Sequence, residues 1–286
     1  MGADSVNGGA QAHPAVPAAG TGQPAQLRVD VNDTVAVVAL ARPDVHNAFD
    51  ETLIAELTRT LAALDADPGV RVVVLAGQGR SFCAGADLNW MQRMAGYGHA
   101  ENLADAGALA NMLATLDRMA KPTIARVHGA AYGGGVGLVA CCDIAIAAQE
   151  ATFSLSEAKL GLIPATVGPY VVAAIGARQA RRYFLSAERF TAAEALRIGL
   201  VHDVVPGDAI DERLDTLIDA LLVAGPRAQA ESKALIRSVA ARRIDDAVIA
   251  DTVEWIAGVR ASPEGREGVA AFLERRRPAW LPKEKE

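Results

Sequence analysis

Residues Thr123 to Ala148 read TIARVHGAAYGGGVGLVACCDIAIAA, and the organisation of the chain follows from them. Thr123–Val127 and Ile144–Ala148 are short, mostly apolar runs, the pattern of strands buried on both faces. Between them a glycine-rich connection, Gly129 to Gly137, leads into a short apolar helix ending at Cys142. Strand, helix and strand in this order make one unit of an α/β layer fold. Four of the five residues from Gly133 to Gly137 are glycine, each costing about 1 kcal/mol relative to alanine inside a helix. Two physical reasons would offset that cost. One is close packing of the helix start against a neighbour. The other is a set of open N–H groups at the positive helix end, aimed at an anionic oxygen. The run is not a dinucleotide fingerprint, because Leu138 stands where the last glycine belongs, and not a P-loop, because no Gly-Lys-Ser/Thr follows.

The same alternation holds upstream. Thr34–Leu40 reads as a strand, and Asp50 as the N-cap of a helix with Leu53, Ile54, Leu57, Leu61 and Leu64 on one face. Asp67-Pro68-Gly69 stops that helix, Val70–Ala76 is a second buried strand, a turn leads into Phe82–Leu88, and Ala100–Met119 is helical. Beyond Pro206 helices dominate: Ile210–Val223, Ala228–Ala240, Asp245–Val259 and Pro263–Arg276. Residues 1–25, rich in Gly, Ala and Pro, cannot offset their ordering entropy by burial. The expected division is a disordered tail over 1–25, a core over 26–206 and a helical carboxy-terminal region over 207–286, with a polar tail from Pro278.

Composition narrows the function classes. The chain has 286 residues, 51% hydrophobic and 22% charged, with a net charge of −6, which argues against a general nucleic-acid binder or a polybasic membrane protein. Cys83, Cys141 and Cys142 form no CxxC and read as small buried residues of a reducing, cytoplasmic compartment. The five histidines show no metal-binding spacing, so no metal site is expected. No uncharged stretch is both long and unbroken enough to span a membrane.

Two segments carry candidate chemistry besides the glycine run. Ser81-Phe82-Cys83-Ala84-Gly85-Ala86-Asp87-Leu88 follows a buried strand with small residues that let backbone N–H groups approach a ligand; a plain tight turn is the alternative. Donors converging from this loop and from the glycine run would form an oxyanion hole, which suits an enolate or a thioester-derived oxyanion. Such chemistry needs a proton carrier, and Glu157 in apolar surroundings is the leading candidate. The competing reading is a capping box, Ser154-x-x-Glu157, in which the glutamate only satisfies a helix start. No GxSxG elbow is present.

These segments, with Arg42-Pro43-x-x-x-Asn47-Ala48, Lys121-Pro122 before a strand, Leu160-Gly161-Leu162-Ile163-Pro164 and Ile198-Gly199-Leu200-Val201, resemble the crotonase (enoyl-CoA hydratase/isomerase) superfamily from Leu27 to Leu273. The resemblance implies a ClpP/crotonase-like α/β spiral of ββα units, with trimers, often paired as hexamers, formed through the terminal helices. It implies oxyanion donors at the N–H of Ala86 and Gly134 and Glu157 as acid/base. It implies an acyl-CoA site lined by Ala48, Ala84, Asp87, Leu88, Tyr132 and Gly133, with Phe272 and Arg275 closing over CoA. No cofactor is expected, coenzyme A being part of the substrate. One position departs from the pattern: hydratases of the family typically carry a first glutamate where this chain has Gly137. Gly137 either leaves room for a β-branched acyl group or serves close helix packing. Finer likeness, in Gly133–Ala147, Leu155–Pro164 and Arg181–Phe190, is to bacterial methylglutaconyl-CoA and carboxygeranoyl-CoA-type hydratases, which also lack that glutamate. The expected activity is hydration of an enoyl-CoA. The alternatives are a Δ3,Δ2-enoyl-CoA isomerase using Glu157 alone and a non-catalytic CoA-binding protein.

Overall fold

The computed structural model describes residues 25–281, so all but the last residue of the amino-terminal tail lies outside the described residues. The elements are β1 (Leu27–Asn32), β2 (Val35–Leu40), α1 (Glu51–Ala66), β3 (Val72–Gly77), α2 (Leu88–Met94), α3 (His99–Arg118), β4 (Thr123–Val127), β5 (Ala130–Tyr132), α4 (Gly134–Cys141), β6 (Ile144–Ala148), β7 (Thr152–Ser154), α5 (Gly168–Ser186), β8 (Phe190–Thr191), α6 (Ala192–Ile198), β9 (Asp203–Val205), α7 (Ile210–Val223), α8 (Pro226–Val239), α9 (Asp246–Ala261) and α10 (Pro263–Leu273). Short 3₁₀ turns cover Pro43–Val45, Glu157–Leu160 and Gly207–Ala209.

A six-stranded sheet runs β1-β2-β3-β4-β6-β9, with a separate three-stranded sheet β5-β7-β8. Only β1 is antiparallel to its neighbour in the large sheet. β1 is absent from the sequence reading because LRVDVN is an edge strand: Leu27 is buried, but Arg28, Asp30 and Val31 face outward, as exposed edges require.

Side chains on β3 alternate between the two sheet faces. Val73 and Leu75 enter one core with Leu53, Leu57 and Leu61 of α1, Met112, Leu113 and Leu116 of α3, and Val136 and Leu138 of α4. Val72 and Val74, with Ile124 and Ile146, enter a second core closed by Ile210 and Leu214 of α7. Leu217, Ile218 and Leu221 extend that contact, so the apolar face of α7 is used inside the subunit and not held open for a partner. Truncation near Pro206 would uncover Val72, Val74, Ile124 and Ile146; the expected fragment is insoluble, and a soluble, cooperatively melting fragment would contradict this packing.

Of the expected polar tail, residues 278–281 are described, and two of them are bonded to the fold. The Trp280 indole N–H donates to the Val223 carbonyl at 3.0 Å, and the Ala279 amide to Glu267 at 2.8 Å. Asp50 caps α1 as expected, accepting from the Leu53 amide at 2.8 Å.

Candidate active site

The loop Phe82–Leu88 is held between two neighbours by backbone hydrogen bonds. On one side the Cys83 amide donates to Ala130 (3.0 Å) and the Tyr132 amide to Cys83 (2.8 Å). On the other the Ala84 amide donates to His46 (3.0 Å), the Phe49 amide to Gly85 (2.7 Å) and the Asp87 amide to Phe49 (2.8 Å). The Ala86 amide has no acceptor among the described residues. Ala84 and Ala86 are half-buried, while Gly85 and Asp87 are buried.

Gly133 makes the corresponding turn before α4. Its amide donates to Ser154 at 2.8 Å, and its φ of 50° and ψ of −116° belong to a region open in practice to glycine. Gly134 then begins α4 with an amide that has no acceptor among the described residues, as the first N–H groups of any helix must. The two loops touch: a Cβ placed on Gly133 would lie 3.8 Å from the Gly85 Cα. Each open amide is thus one residue past the contact pair.

The same Cβ would lie 3.3 Å from Oε1 of Glu157, which puts the carboxylate beside the junction. Glu157 starts a 3₁₀ turn whose N-cap is Ser156, with no side-chain cap bond. The Ser154 hydroxyl instead donates to Ala187 at 3.4 Å. The capping-box alternative therefore fails. Glu157 Oε2 is buried with no hydrogen-bond partner. Burial pushes the Glu157 carboxyl above its ordinary value, opposed only by its own amide, and a raised carboxyl is better suited to take and return a proton.

Arg42, whose role the sequence did not disclose, braces the site from behind. Its guanidinium lies 3.0 Å from both Asp50 and Asp87 and also donates to the Ala48 carbonyl. Asp87 caps α2, accepting from the amides of Asn89 (2.8 Å) and Trp90 (3.2 Å). Burial alone would raise the Asp87 carboxyl, but the Trp90 and Asn89 amides and Arg42 outweigh it and hold it below its usual value. One cation thus ties the N-caps of α1 and α2 to the loop that presents Ala86. Arg42→Ala should cost about 3 kcal/mol in a denaturation experiment, because it strands two mostly buried carboxylates. The loss should shrink on acidification, since a carboxylate with a depressed folded pKa contributes its stability above the unfolded pKa and loses it as pH falls.

The other expected site residues divide. Ala48 and Asp87 are buried, with the Asp87 carboxylate engaged by Arg42 and its amide by Phe49. Leu88 is 80% exposed. The Tyr132 hydroxyl lies 3.0 Å from Thr152 Oγ1, with the Arg189 guanidinium over its ring. Phe272 is 82% exposed on α10, and no described contact joins Phe272 or Arg275 to Glu157 within one chain. Cys83 is buried, with its thiol pushed up to about 12, which suits packing and not nucleophilic attack.

Gly137 resolves towards packing. A Cβ there would lie 2.4 Å from Cγ1 of Val167 and 3.4 Å from Cδ2 of Leu113. The room expected for a β-branched acyl group is filled by this chain's own side chains. Val167 escaped the sequence reading because nothing in its local spacing links it to α4.

Open amides beside a desolvated carboxylate are the parts of an enzyme that moves protons next to a developing oxyanion. The sequence profile of the enoyl-CoA hydratase/isomerase family matches residues 30–283, and the chain belongs to that family, the crotonases. It is 32% identical to a crotonyl-CoA hydratase of Syntrophomonas wolfei over 89% of this chain and 97% of that protein. It is 33% identical to a 2,3-dehydroadipyl-CoA hydratase of Escherichia coli over 88% and 97%. A crystal structure of an enoyl-CoA hydratase from Shewanella pealeana superposes with a TM-score of 0.88 at 46% identity, over 90% of this chain and 96% of that one. The fold is the crotonase fold. No described helix is long and apolar enough to cross a membrane.

Proposed function

We propose that the protein hydrates the 2,3 double bond of an acyl-CoA thioester, with the Ala86 and Gly134 amides as oxyanion donors and Glu157 as the proton carrier. The observation that carries this reading is the pair of acceptor-free amides flanking the Gly85–Gly133 contact, with Glu157 Oε1 beside it. The thioester oxygen accepts from both amides, which draws electrons from the double bond and makes Cβ electrophilic. Glu157 takes a proton from water as the oxygen of that water bonds to Cβ. The electron pair of the double bond passes into the enolate. The same proton then returns to Cα, the enolate collapses to the thioester, and H and OH have been added. The thioester provides the activation, so the scheme uses no metal or redox cofactor, and coenzyme A serves as the substrate's carrier.

For the acyl group we propose a branched, carboxylated one of the 3-methylglutaconyl type. Its support is the likeness of Gly133–Ala147 and Leu155–Pro164 to that branch and a relative named for dehydroadipyl-CoA. Gly137 adds nothing to it, since the volume there is filled. We also propose a homotrimer or a dimer of trimers. Exposed Ile249, Val253 and Ile256 recur at helical spacing on α9, and Val269, Phe272 and Leu273 stand out from α10, more apolar surface than scattered exposure explains. The proposed site for Phe272 and Arg275 over CoA would then be completed by assembly.

A single carboxylate also suits a double-bond isomerase. Turnover of crotonyl-CoA, 3-methylglutaconyl-CoA and a 3-enoyl-CoA, assayed side by side, decides the matter. Hydration of 3-methylglutaconyl-CoA at the highest kcat/KM supports the proposal. Preference for crotonyl-CoA overturns the acyl assignment, turnover of the 3-enoyl-CoA alone makes the protein an isomerase, and no turnover makes it a CoA-binding protein.

A further inference from the structure

The three glycines at the start of α4 abut different neighbours. A Cβ on Gly133 would lie 3.3 Å from Glu157 Oε1 and 3.8 Å from the Gly85 Cα, and one on Gly135 would run into the Cys83 carbonyl. One on Gly134 would lie 2.6 and 2.8 Å from Cε2 and Cδ2 of Phe49. Gly85 and Cys83 belong to the loop that presents Ala86. Phe49 does not: it lies just before α1, is 1% exposed and joins the main core. Yet its main chain is paired with that loop. The Phe49 amide donates to Gly85 at 2.7 Å, and the Phe49 carbonyl accepts from the Asp87 amide at 2.8 Å. One residue therefore touches the segments that carry both open amides, the Ala86 loop through its main chain and Gly134 through its ring.

We propose that Phe49 is a positioning residue for the hydration: its ring, set against Gly134, holds the start of α4 at the distance from the Ala86 loop at which both amides reach one thioester oxygen. The inference rests on the reading of those two amides as oxyanion donors. Phe49 plays its part through Gly134, not through contact with the reacting atoms.

Phe49 is itself fixed without help from α4. Arg42 donates to the Ala48 carbonyl before it and lies 3.0 Å from Asp50 after it, and Asp50 caps α1. A ring in a close-packed core has little room to yield, and Gly134 has no side chain to deflect. Oxyanion donors act only when held about 2.7–3.1 Å from the oxygen, and a misplacement of about 1 Å can cost about 10²-fold in rate. Leucine at position 49 would keep the place apolar and leave the main-chain bonds to Gly85 and Asp87 intact. It would withdraw only the ring edge that bears on Gly134.

Phe49→Leu should lower kcat and kcat/KM together by about tenfold or more, a part of what a whole donor is worth, with KM little changed. A cycle with main-chain esters then shows which donor is affected. Glycolic acid in place of Gly134 should cost less in the Phe49→Leu enzyme than in the wild type, because the donor it removes is already displaced. Lactic acid in place of Ala86, whose loop the Phe49 main chain still holds, should cost the same in both. A folded Phe49→Leu enzyme with wild-type kcat overturns the proposal, whatever its melting temperature, and leaves Phe49 a core residue only. Equal cost of the Gly134 ester in both backgrounds also overturns it, while the oxyanion reading stands. A Gly134 ester at the wild-type rate in the wild-type background overturns that reading and this proposal with it. Should Phe49→Leu not fold, Phe49→Met is read by the same criteria.

Discussion

Glu157→Gln should fall in kcat by about 10²- to 10⁴-fold, the usual range for loss of a general acid–base, with its fold intact. The substitution preserves shape, and among the described residues Glu157 makes no ion pair and caps no helix that the amide would disturb. Stability should hold or rise at neutral pH. The folded carboxyl titrates above its unfolded value of about 4.3, so its contribution to stability is fully present below that value and is lost as pH rises through the folded pKa. At pH 7 the wild-type protein carries that loss and the glutamine variant does not. The measurement is loss of enoyl-thioester absorbance under saturating substrate, alongside a melting curve. Near-full turnover in a well-folded variant would return Glu157 to a structural role.

Removing the Gly134 N–H should lower kcat by about 10²- to 10³-fold, the cost of one oxyanion donor. Proline is a poor tool for this, although it is tolerated at the first position of a helix. A Cβ at Gly134 would lie 2.6 Å from the Phe49 ring, so misfolding would confound the rate. Glycolic acid in place of Gly134 exchanges N–H for oxygen and adds no atom on the Phe49 side. If the donor acts in the transition state, kcat and kcat/KM fall together. The same exchange at Gly133, whose N–H is engaged by Ser154, should register mainly as a lower melting temperature. An ester at Gly134 that turns over at the wild-type rate would remove that amide from the mechanism.

What the sequence disclosed and what it withheld have separate physical causes. β3, β4 and β6 were readable because strands buried on both faces leave continuous apolar runs, and α1 because five apolar residues recur at helical spacing behind an aspartate cap. The glycine run was readable as a demand on the backbone, but not as to which demand. In the structure both reasons operate: the Gly134 amide stays open, while Gly134 and Gly137 abut Phe49 and Val167. Arg42 and Val167 were not readable as partners, because each acts on residues far along the chain and no periodicity joins them. The apolar stripe of α7 was visible, yet a stripe does not say whether it meets its own sheet or another subunit. β1 was hidden by the charges an edge strand needs. Phe272 and Arg275 carry no signal of their place in a site, and within one chain α10 leaves Phe272 in solvent.

The spare amide of Ala86 follows from how parallel pairing works. Next to Phe49 the loop uses the Gly85 carbonyl and the Asp87 amide, and the residue between them is passed over by the alternation of the backbone. The electrophilic half of the site is therefore written in the main chain, where among side-chain changes only one to proline, which lacks the N–H, erases it. Evolutionary drift is left to act on the groups around it, Glu157 among them. A lineage built this way can alter what becomes of an enolate while inheriting, unaltered, the means of making one.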